Sequence, residues 1–154
     1  MTQTRVERYD PDKIDARLQE RWETDALYKS FEDASKPKYY CLDFFPYPSG
    51  DGLSVGHCRN YVPTDVVSRY YRMRGFNVLH PMGWDAFGLP AENRAIETGI
   101  HPSLTVKNNT DTYRRQLRLI GTSYDWSREI NSSAPDYYRW TQWFFLLLYQ
   151  RGLA

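Results

Sequence analysis

Residues 44–57 read Phe44-Phe45-Pro46-Tyr47-Pro48-Ser49-Gly50-Asp51-Gly52-Leu53-Ser54-Val55-Gly56-His57. An aromatic run ends, a Pro/Gly-rich loop follows, and Gly56-His57 opens a stretch with helical spacing. Glycines at 50, 52 and 56 let a backbone approach a ligand closely. A helix that starts near Ser54–Gly56 would aim its free N–H groups and its positive dipole end into the loop. His57, in the first turn, has a ring N–H to offer a phosphate oxygen. The same residues also suit a plain turn with a helix cap, since Ser54 is a good N-cap residue. A glycine-rich strand-to-helix turn leaves both readings open.

The flanking segments supply the layers. Lys38 to Phe45 (KYYCLDFF) is rich in aromatics and reads as a strand stopped by Pro46, with Asp43 expected at its exposed end. Gly56 to Arg74 reads as a helix with an apolar face of Val55, Tyr61, Val66, Val67, Tyr70, Tyr71 and Met73, closed by Gly75. Pro63 predicts a bend near Arg59–Asn60. Asn77 to His80 is a second short strand that ends at Pro81. A helix between two strands makes a parallel pair with a right-handed crossover, so the fold class is α/β.

A second loop, Met82-Gly83-Trp84-Asp85-Ala86-Phe87-Gly88-Leu89-Pro90, follows the second strand. Open α/β sheets place ligands at the carboxyl ends of their strands. A carboxylate such as Asp85 among aromatics suits a cationic group, for instance an ammonium. A surface aspartate in a turn is the alternative. Two such loops after adjacent strands favour a cleft.

The remaining segments are helical. Asp10 and Pro11 start a helix that runs to about Thr24, with Ile14, Leu18, Trp22 and Leu27 on one face and Arg17, Glu20 and Arg21 outside. Residues 29–37 read as a loop. Pro90–Thr98 is a short helix, residues 102–109 are expected to be irregular, and Thr110–Ile120 is a helix closed by Gly121. A short strand is expected at Glu129–Asn131, within a loop from Ser123 to Ser133. Pro135–Arg151 is a helix that presents Trp140, Phe144, Leu147 and Leu148 on one face.

Composition sets limits. The chain has 154 residues, enough for one domain with a core, and a net charge of +1 gives no global basic field. Its two cysteines, Cys41 and Cys58, form no CxxC pair, so neither a zinc site nor a disulfide is expected. The N-terminus carries no apolar signal region. The longest apolar run, Trp143 to Tyr149, is too short to span a bilayer. These features point to a soluble cytoplasmic protein.

Three motifs in order carry a resemblance. Phe-Pro-Tyr-Pro-Ser-Gly with Leu-Ser-Val-Gly-His, then Gly-Trp-Asp-Ala-Phe-Gly-Leu-Pro-Ala-Glu, then Tyr-Asp-Trp-Ser-Arg-Glu resemble the leucyl-tRNA synthetases, class I aminoacyl-tRNA synthetases. The helix containing Tyr137-Tyr138-Arg139-Trp140 is similar to that family as well, so the resemblance spans essentially the whole chain. It implies the first half of a Rossmann-like nucleotide-binding domain with parallel strands, preceded by an N-terminal helix and followed by helices. Residues 1–36 would form a helical extension, and residues 37–154 the first half of the catalytic domain.

The implied reaction joins leucine to ATP (with Mg2+) as leucyl-adenylate, and then passes leucine to tRNA(Leu). The resemblance assigns catalytic roles to His57, Ser54 and Gly56. ATP would meet Ser54, Gly56, His57, Pro46 and Tyr47, and leucine would meet Phe44, Phe45, Tyr47 and Asp85. No metal site is implied within this chain, and no membrane partner. The remainder of the synthetase would be a partner.

Two departures from the family pattern stand out. Ser54 replaces the leading histidine of the family's signature, and no Lys-Met-Ser-Lys-Ser run occurs in these residues. An incomplete piece, inactive alone, is therefore expected. A small nucleotidyltransferase of the same superfamily and a non-catalytic nucleotide- or tRNA-binding module are the alternatives. Arg114, Arg115 and Arg118 read as tRNA phosphate contacts or as a solvated helix face, and Trp126 and Arg128 as tRNA buttresses or packing. His80 and His101 read as structural, and Cys58 as a small buried residue.

Overall fold

The structure, a computed structural model, describes residues 8–154, so the first seven residues of the expected extension lie outside it. Helix α1 spans Pro11–Thr24, with the proline's fixed φ at the first helical positions. Asp10 has the extended backbone of an N-cap, but its carboxylate pairs with Lys13 at 2.9 Å rather than capping the helix. Ile14, Leu18 and Trp22 are half-buried, whereas Leu27 is exposed. Gln19 Nε2 donates to the Leu119 carbonyl at 3.2 Å, which ties α1 to the end of α4 (Pro102–Ile120).

Strand β1 (Lys38–Tyr40) runs parallel to β2 (Asn77–Leu79), with Lys38 opposite Asn77 and Tyr40 opposite Leu79. Helix α2 (Val55–Met73) makes the expected crossover and continues unbroken through Pro63. The first strand is shorter than Lys38–Phe45. Cys41 N–H donates to the Leu79 carbonyl at 2.9 Å, and the next backbone bond between the two segments is Asp85 N–H to the Pro46 carbonyl at 3.1 Å. Among the described residues, no backbone bond joins 42–45 to 80–84. The first segment uses one more residue than the second between its bonds at Pro37–Asn77 and Pro46–Asp85, and such a bulge interrupts a ladder.

The pleat persists through that gap. Cys41 and Asp43 are buried, whereas Tyr40, Leu42 and Phe44 are exposed. This alternation overturns the expectation for Asp43: a period of two turns it inward with Cys41, and it is 6% exposed.

Helix α2 also departs from its expected face, which holds at Tyr61 and in part at Tyr71 and fails at the other five positions. Tyr61, Asp65 and Ser68 are its buried residues, while Val55, Val66, Val67, Tyr70 and Met73 are exposed. Asp65 Oδ1 accepts from the Ser123 backbone N–H at 2.6 Å and its hydroxyl at 2.5 Å, and Oδ2 accepts from Arg69 Nε at 2.7 Å. Arg72 donates to Ser68 Oγ and to the carbonyls of Ser123, Tyr28 and Val78. Charged groups that are paired and fully hydrogen-bonded tolerate burial, so a polar stripe holds this helix to the sheet.

The second loop begins with a strand. β3 (Gly83–Trp84) pairs in parallel with β4 (Ile130–Asn131). Helix α3 spans Leu89–Thr98 and ends at Gly99, whose φ of 67° is left-handed. Helix α4 starts at Pro102, which corrects the irregular reading of 102–109. Val106, Thr110, Tyr113 and Leu117 form one buried stripe at helical spacing, and burial of that stripe overrides the weak propensities of Thr105, Val106, Asn108 and Asn109. A 3-10 turn covers Trp126–Arg128, and α5 spans Pro135–Gln150. None of the α5 residues is buried: Trp140, Phe144 and Leu148 are exposed, as are Trp143, Phe145 and Leu146.

The core sits beneath the carboxyl ends of the strands. Tyr61, Met82, Trp84, Ala86, Val106, Tyr113, Leu117 and Tyr124 form it, with Phe45, Leu53, Ala91 and Trp126 packed alongside.

Candidate active site

Loop 46–54 leans on one face of α4. Asn109 Nδ2 donates to the Pro48 carbonyl at 2.8 Å, the Tyr113 hydroxyl lies against Gly50, and Gln116 Oε1 accepts from the Leu53 N–H at 2.7 Å. A Cβ on Gly52 would sit 2.8 Å from Gln116 Nε2, so a side chain there would require the end of Gln116 to shift. Sequence reading missed all three α4 side chains, because an amide or phenol at helical spacing carries no signal until the loop it meets is known.

Ser54 takes the extended N-cap conformation, and α2 begins at Val55. The Ser54 backbone N–H donates to His57 Nδ1 at 3.0 Å, and Ser54 Oγ lies 2.9 Å from the same nitrogen. A nitrogen that accepts a backbone N–H carries no proton, so the imidazole proton sits on Nε2 and the Ser54 hydroxyl donates to Nδ1. Ser54 therefore orients His57 with the hydroxyl expected to reach a phosphate. His57 is half-buried and stands between the rings of Tyr61 and Tyr113 at 5.9 and 6.0 Å. Its Nε2 has no partner among the described residues. Gly56 is exposed beside it, and a Cβ there would touch only Ser54 Oγ, at 3.4 Å.

The two loops meet through the Asp85 N–H to Pro46 bond. Asp85 is half-buried, and its carboxylate has no hydrogen-bond or ion-pair partner among the described residues. Pro46 is buried and Tyr47 is 56% exposed. Phe45 packs against the core and over Gly83, whereas Phe44 is 84% exposed on the other side of the same segment. The structure thus brings Pro46, Phe45 and Asp85 together at one edge of the sheet, with the start of α2 at the far end of the loop, and sends Phe44 outward. Such an edge offers a carboxylate for a cation at one point, and a ring N–H with free helix N–H groups for an anion at another.

Below the two loops lies a cluster that sequence reading did not assemble. His80 Nε2 is 2.9 Å from Asp43 Oδ2, and the Tyr124 hydroxyl donates to that same oxygen at 2.7 Å. The side chains of His80 and Asp43 are 0% and 1% exposed, and Tyr124 is 1% exposed. Asp43 Oδ1 and His80 Nδ1 have no partner. Burial, followed by the Asp43 charge, drives the Tyr124 phenol far above its ordinary range. Asp43, His80 and Tyr124 lie far apart in the chain, so only the fold reveals the group.

The other candidates are committed elsewhere. Arg114 is paired with Glu129 and with Asp111, each at 2.6 Å, and Arg118 is paired with Glu23 at 3.2 Å while lying over Trp126. Arg115 is exposed. Arg128 reaches Glu32 at 3.9 Å, and Trp126 packs on Tyr124. His101 Nδ1 accepts from the Ser103 N–H at 3.3 Å and caps α4. Cys58 is half-buried rather than buried. Among the described residues no cluster of three metal-binding side chains occurs, and no helix is long and apolar enough to cross a membrane.

Comparison with known proteins bears on this arrangement. A family model described as tRNA synthetases class I (M) matches residues 43–154. The chain is similar to a leucine–tRNA ligase of Protochlamydia amoebophila, at 55% identity over 147 residues, 96% of this chain and 17% of that protein. One from Leptospira biflexa is 60% identical over 136 residues, 88% of this chain and 16% of that protein. The chain therefore spans about a sixth of the length of these relatives. Among solved structures, a ternary complex of Agrobacterium radiobacter K84 LeuRS with tRNA and LeuAMS aligns with a TM-score of 0.88 and 40% identity, covering 95% of this chain and 19% of that one. A Mycobacterium tuberculosis methionyl-tRNA synthetase with methionyl-adenylate aligns at a TM-score of 0.60 and 27% identity, covering 65% of this chain and 19% of that one.

Proposed function

Because this chain belongs to the class I tRNA synthetases, we propose that it forms the ATP- and leucine-holding half of a leucine–tRNA ligase active site. The observation that carries the reading is the Asp85 N–H to Pro46 bond, which joins a loop with an unpartnered carboxylate to the loop that leads into α2 and His57. In this reading residues 1–36 are a helical extension and 37–154 the first half of the catalytic domain. A cytoplasmic location goes with it.

The proposed chemistry is adenylate formation. A leucine carboxylate oxygen attacks the α-phosphorus of ATP, which enters as its Mg2+ complex. The bond to the pyrophosphate oxygen breaks, and leucyl-adenylate and pyrophosphate result. Asp85 holds the leucine ammonium, while Phe45 and Tyr47 wall the side chain, and Phe44, on the other side of the segment, lies outside that wall. His57 Nε2–H and the first-turn N–H groups of α2 hold phosphate oxygens, and Gly56 leaves room for the nucleotide beside Pro46 and Tyr47. Donors fixed before the reaction stabilise charge as it grows. The leucyl group would then pass to tRNA(Leu), a step for which these residues supply only the adenylate side.

No Lys-Met-Ser-Lys-Ser run occurs in the chain, so binding without turnover is expected of these residues alone. The test is calorimetric titration with leucyl sulfamoyl adenosine, a stable mimic of leucyl-adenylate. The expected result is saturable binding that Asp85→Asn and His57→Ala each weaken at least about tenfold, the loss of one charge-assisted hydrogen bond. Absence of binding by the unmutated chain overturns the reading.

A further inference from the structure

The backbone ladder between the segments that carry the two loops is interrupted. It bonds at Cys41–Leu79 and again at Pro46–Asp85, with no backbone bond between 42–45 and 80–84. One side-chain hydrogen bond crosses that gap: His80 Nε2 to Asp43 Oδ2 at 2.9 Å. Tyr124 donates to the same oxygen at 2.7 Å from the neighbouring segment, whose Asp125 N–H bonds the His80 carbonyl at 2.8 Å. Side chains from two other segments thus converge on one Asp43 oxygen in a site closed to water.

From this geometry we infer that Asp43 and His80 are positioning residues that set the spacing between the His57 loop and the Asp85 loop. Neither residue is exposed enough to touch a ligand. Asp43 lies three positions before Pro46, and His80 lies five before Asp85. Each loop is therefore tethered within a few residues of the pair. A backbone ladder would normally fix that spacing. Here backbone bonds remain only at the two ends of the gap, Cys41–Leu79 and Pro46–Asp85, and between them the imidazole–carboxylate bond is what holds the segments. Asp43 Oδ1 and His80 Nδ1 remain without partners although both are buried, an arrangement that costs stability. A residue pair chosen only for stability would be replaced by apolar side chains of similar size at little loss, whereas a spacing device needs directional bonds.

The inference rests on the proposed function and predicts a distinctive pattern. ATP alone reads the His57 loop, and leucine alone reads the Asp85 loop. A molecule that joins both groups reads the distance between them. When that distance is wrong by a fraction of an ångström, the joined ligand suffers and the separate ones do not.

The experiment titrates this chain with ATP, with leucine and with leucyl sulfamoyl adenosine, and repeats the three titrations for Asp43→Asn, His80→Gln and the double variant. The expected result is an affinity for the joined ligand at least about tenfold weaker in each single variant, with ATP and leucine within about twofold of the unmutated chain. The double variant should be no worse than either single one, since both remove the same bond. Tyr124→Phe removes only a hydroxyl and should show the same pattern in weaker form, which keeps the test available if the other variants fail to fold. Equal losses for all three ligands, or no loss for the joined one, overturn the inference while leaving the proposed function standing. Failure of the unmutated chain to bind any of the three overturns both.

Discussion

The ring of Phe45 occupies the space over Gly83: a Cβ on residue 83 would lie 2.5 Å from Phe45 Cε2 and 2.6 Å from Cδ2. Gly83 opens β3, the strand that leads directly to Asp85, and Phe45 is the last residue before the Pro46 loop. A single missing side chain therefore seats one wall of the proposed leucine pocket. Gly83→Ala should force the ring aside, lower stability by about 1–3 kcal/mol and weaken leucine binding. Thermal unfolding and a leucine titration check this. An unchanged melting temperature with unchanged leucine affinity would contradict it.

Ser54 acts on His57 through two groups, its backbone N–H and its hydroxyl. Ser54→Ala removes only the hydroxyl, so the Nε2–H tautomer should survive and phosphate affinity should fall by no more than about threefold, less than the value of one neutral hydrogen bond. Nitrogen NMR of the imidazole reads the tautomer directly. A shift of the proton to Nδ1 in this variant would show that the hydroxyl, not the backbone, dictates it.

Acid should loosen the joint between residue 30 and the turn at 126–128. Burial pushes the Asp125 carboxyl up, but hydrogen bonds from the backbone and hydroxyls of Ser127 and Ser30 outweigh it and hold the group below the usual carboxylate range. A depressed pKa means that the folded state favours the ionised form. Its stabilisation is complete above about pH 4, near the unfolded value, and is lost as the pH falls through the folded pKa below that. Asp125→Asn should cost about 1–3 kcal/mol at neutral pH and flatten the stability curve in that acid window. Denaturant melts at several pH values test it; a curve that stays parallel to the unmutated one refutes it.

The two cysteines should differ in reactivity. Burial, helped by the Asp43 charge, pushes the Cys41 thiol up to about 11, and its Sγ lies 3.6 Å from the Thr64 carbonyl. At pH 8 about one part in a thousand of it is thiolate, the reactive form. Cys58 is half-buried near the start of α2. Iodoacetamide at pH 8 should label Cys58 first and reach Cys41 only on unfolding, as mass spectrometry of timed samples would show. Equal rates would mean that the 38–45 segment opens freely.

Legibility in the sequence followed the punctuation. Pro11, Pro90, Gly99 and Gly121 mark boundaries that the backbone respects, because a missing N–H or a left-handed φ acts within one or two residues. The two loops at the strand ends were readable for the same reason. Burial was harder. The α2 stripe of Asp65 and Ser68 defeats a hydropathy reading, since only Ser123, Arg69 and Arg72 make it stable inside. Asp43 was misplaced because its partners lie 37 and 81 positions away. The start of α4 was hidden by residues with weak propensity whose burial is decided by other elements. What depends on neighbours in sequence was visible, and what depends on neighbours in space was not.

Asn109, Tyr113 and Gln116 hold three points of loop 46–54 from one helix face. A Pro/Gly-rich loop held in this way is already shaped before any ligand arrives. Ligand association then need not freeze a wandering backbone, and the entropy that such ordering would otherwise consume stays in the affinity. Residues along one face of α4, which hold the loop from behind, would thus govern how tightly the site closes on what it holds.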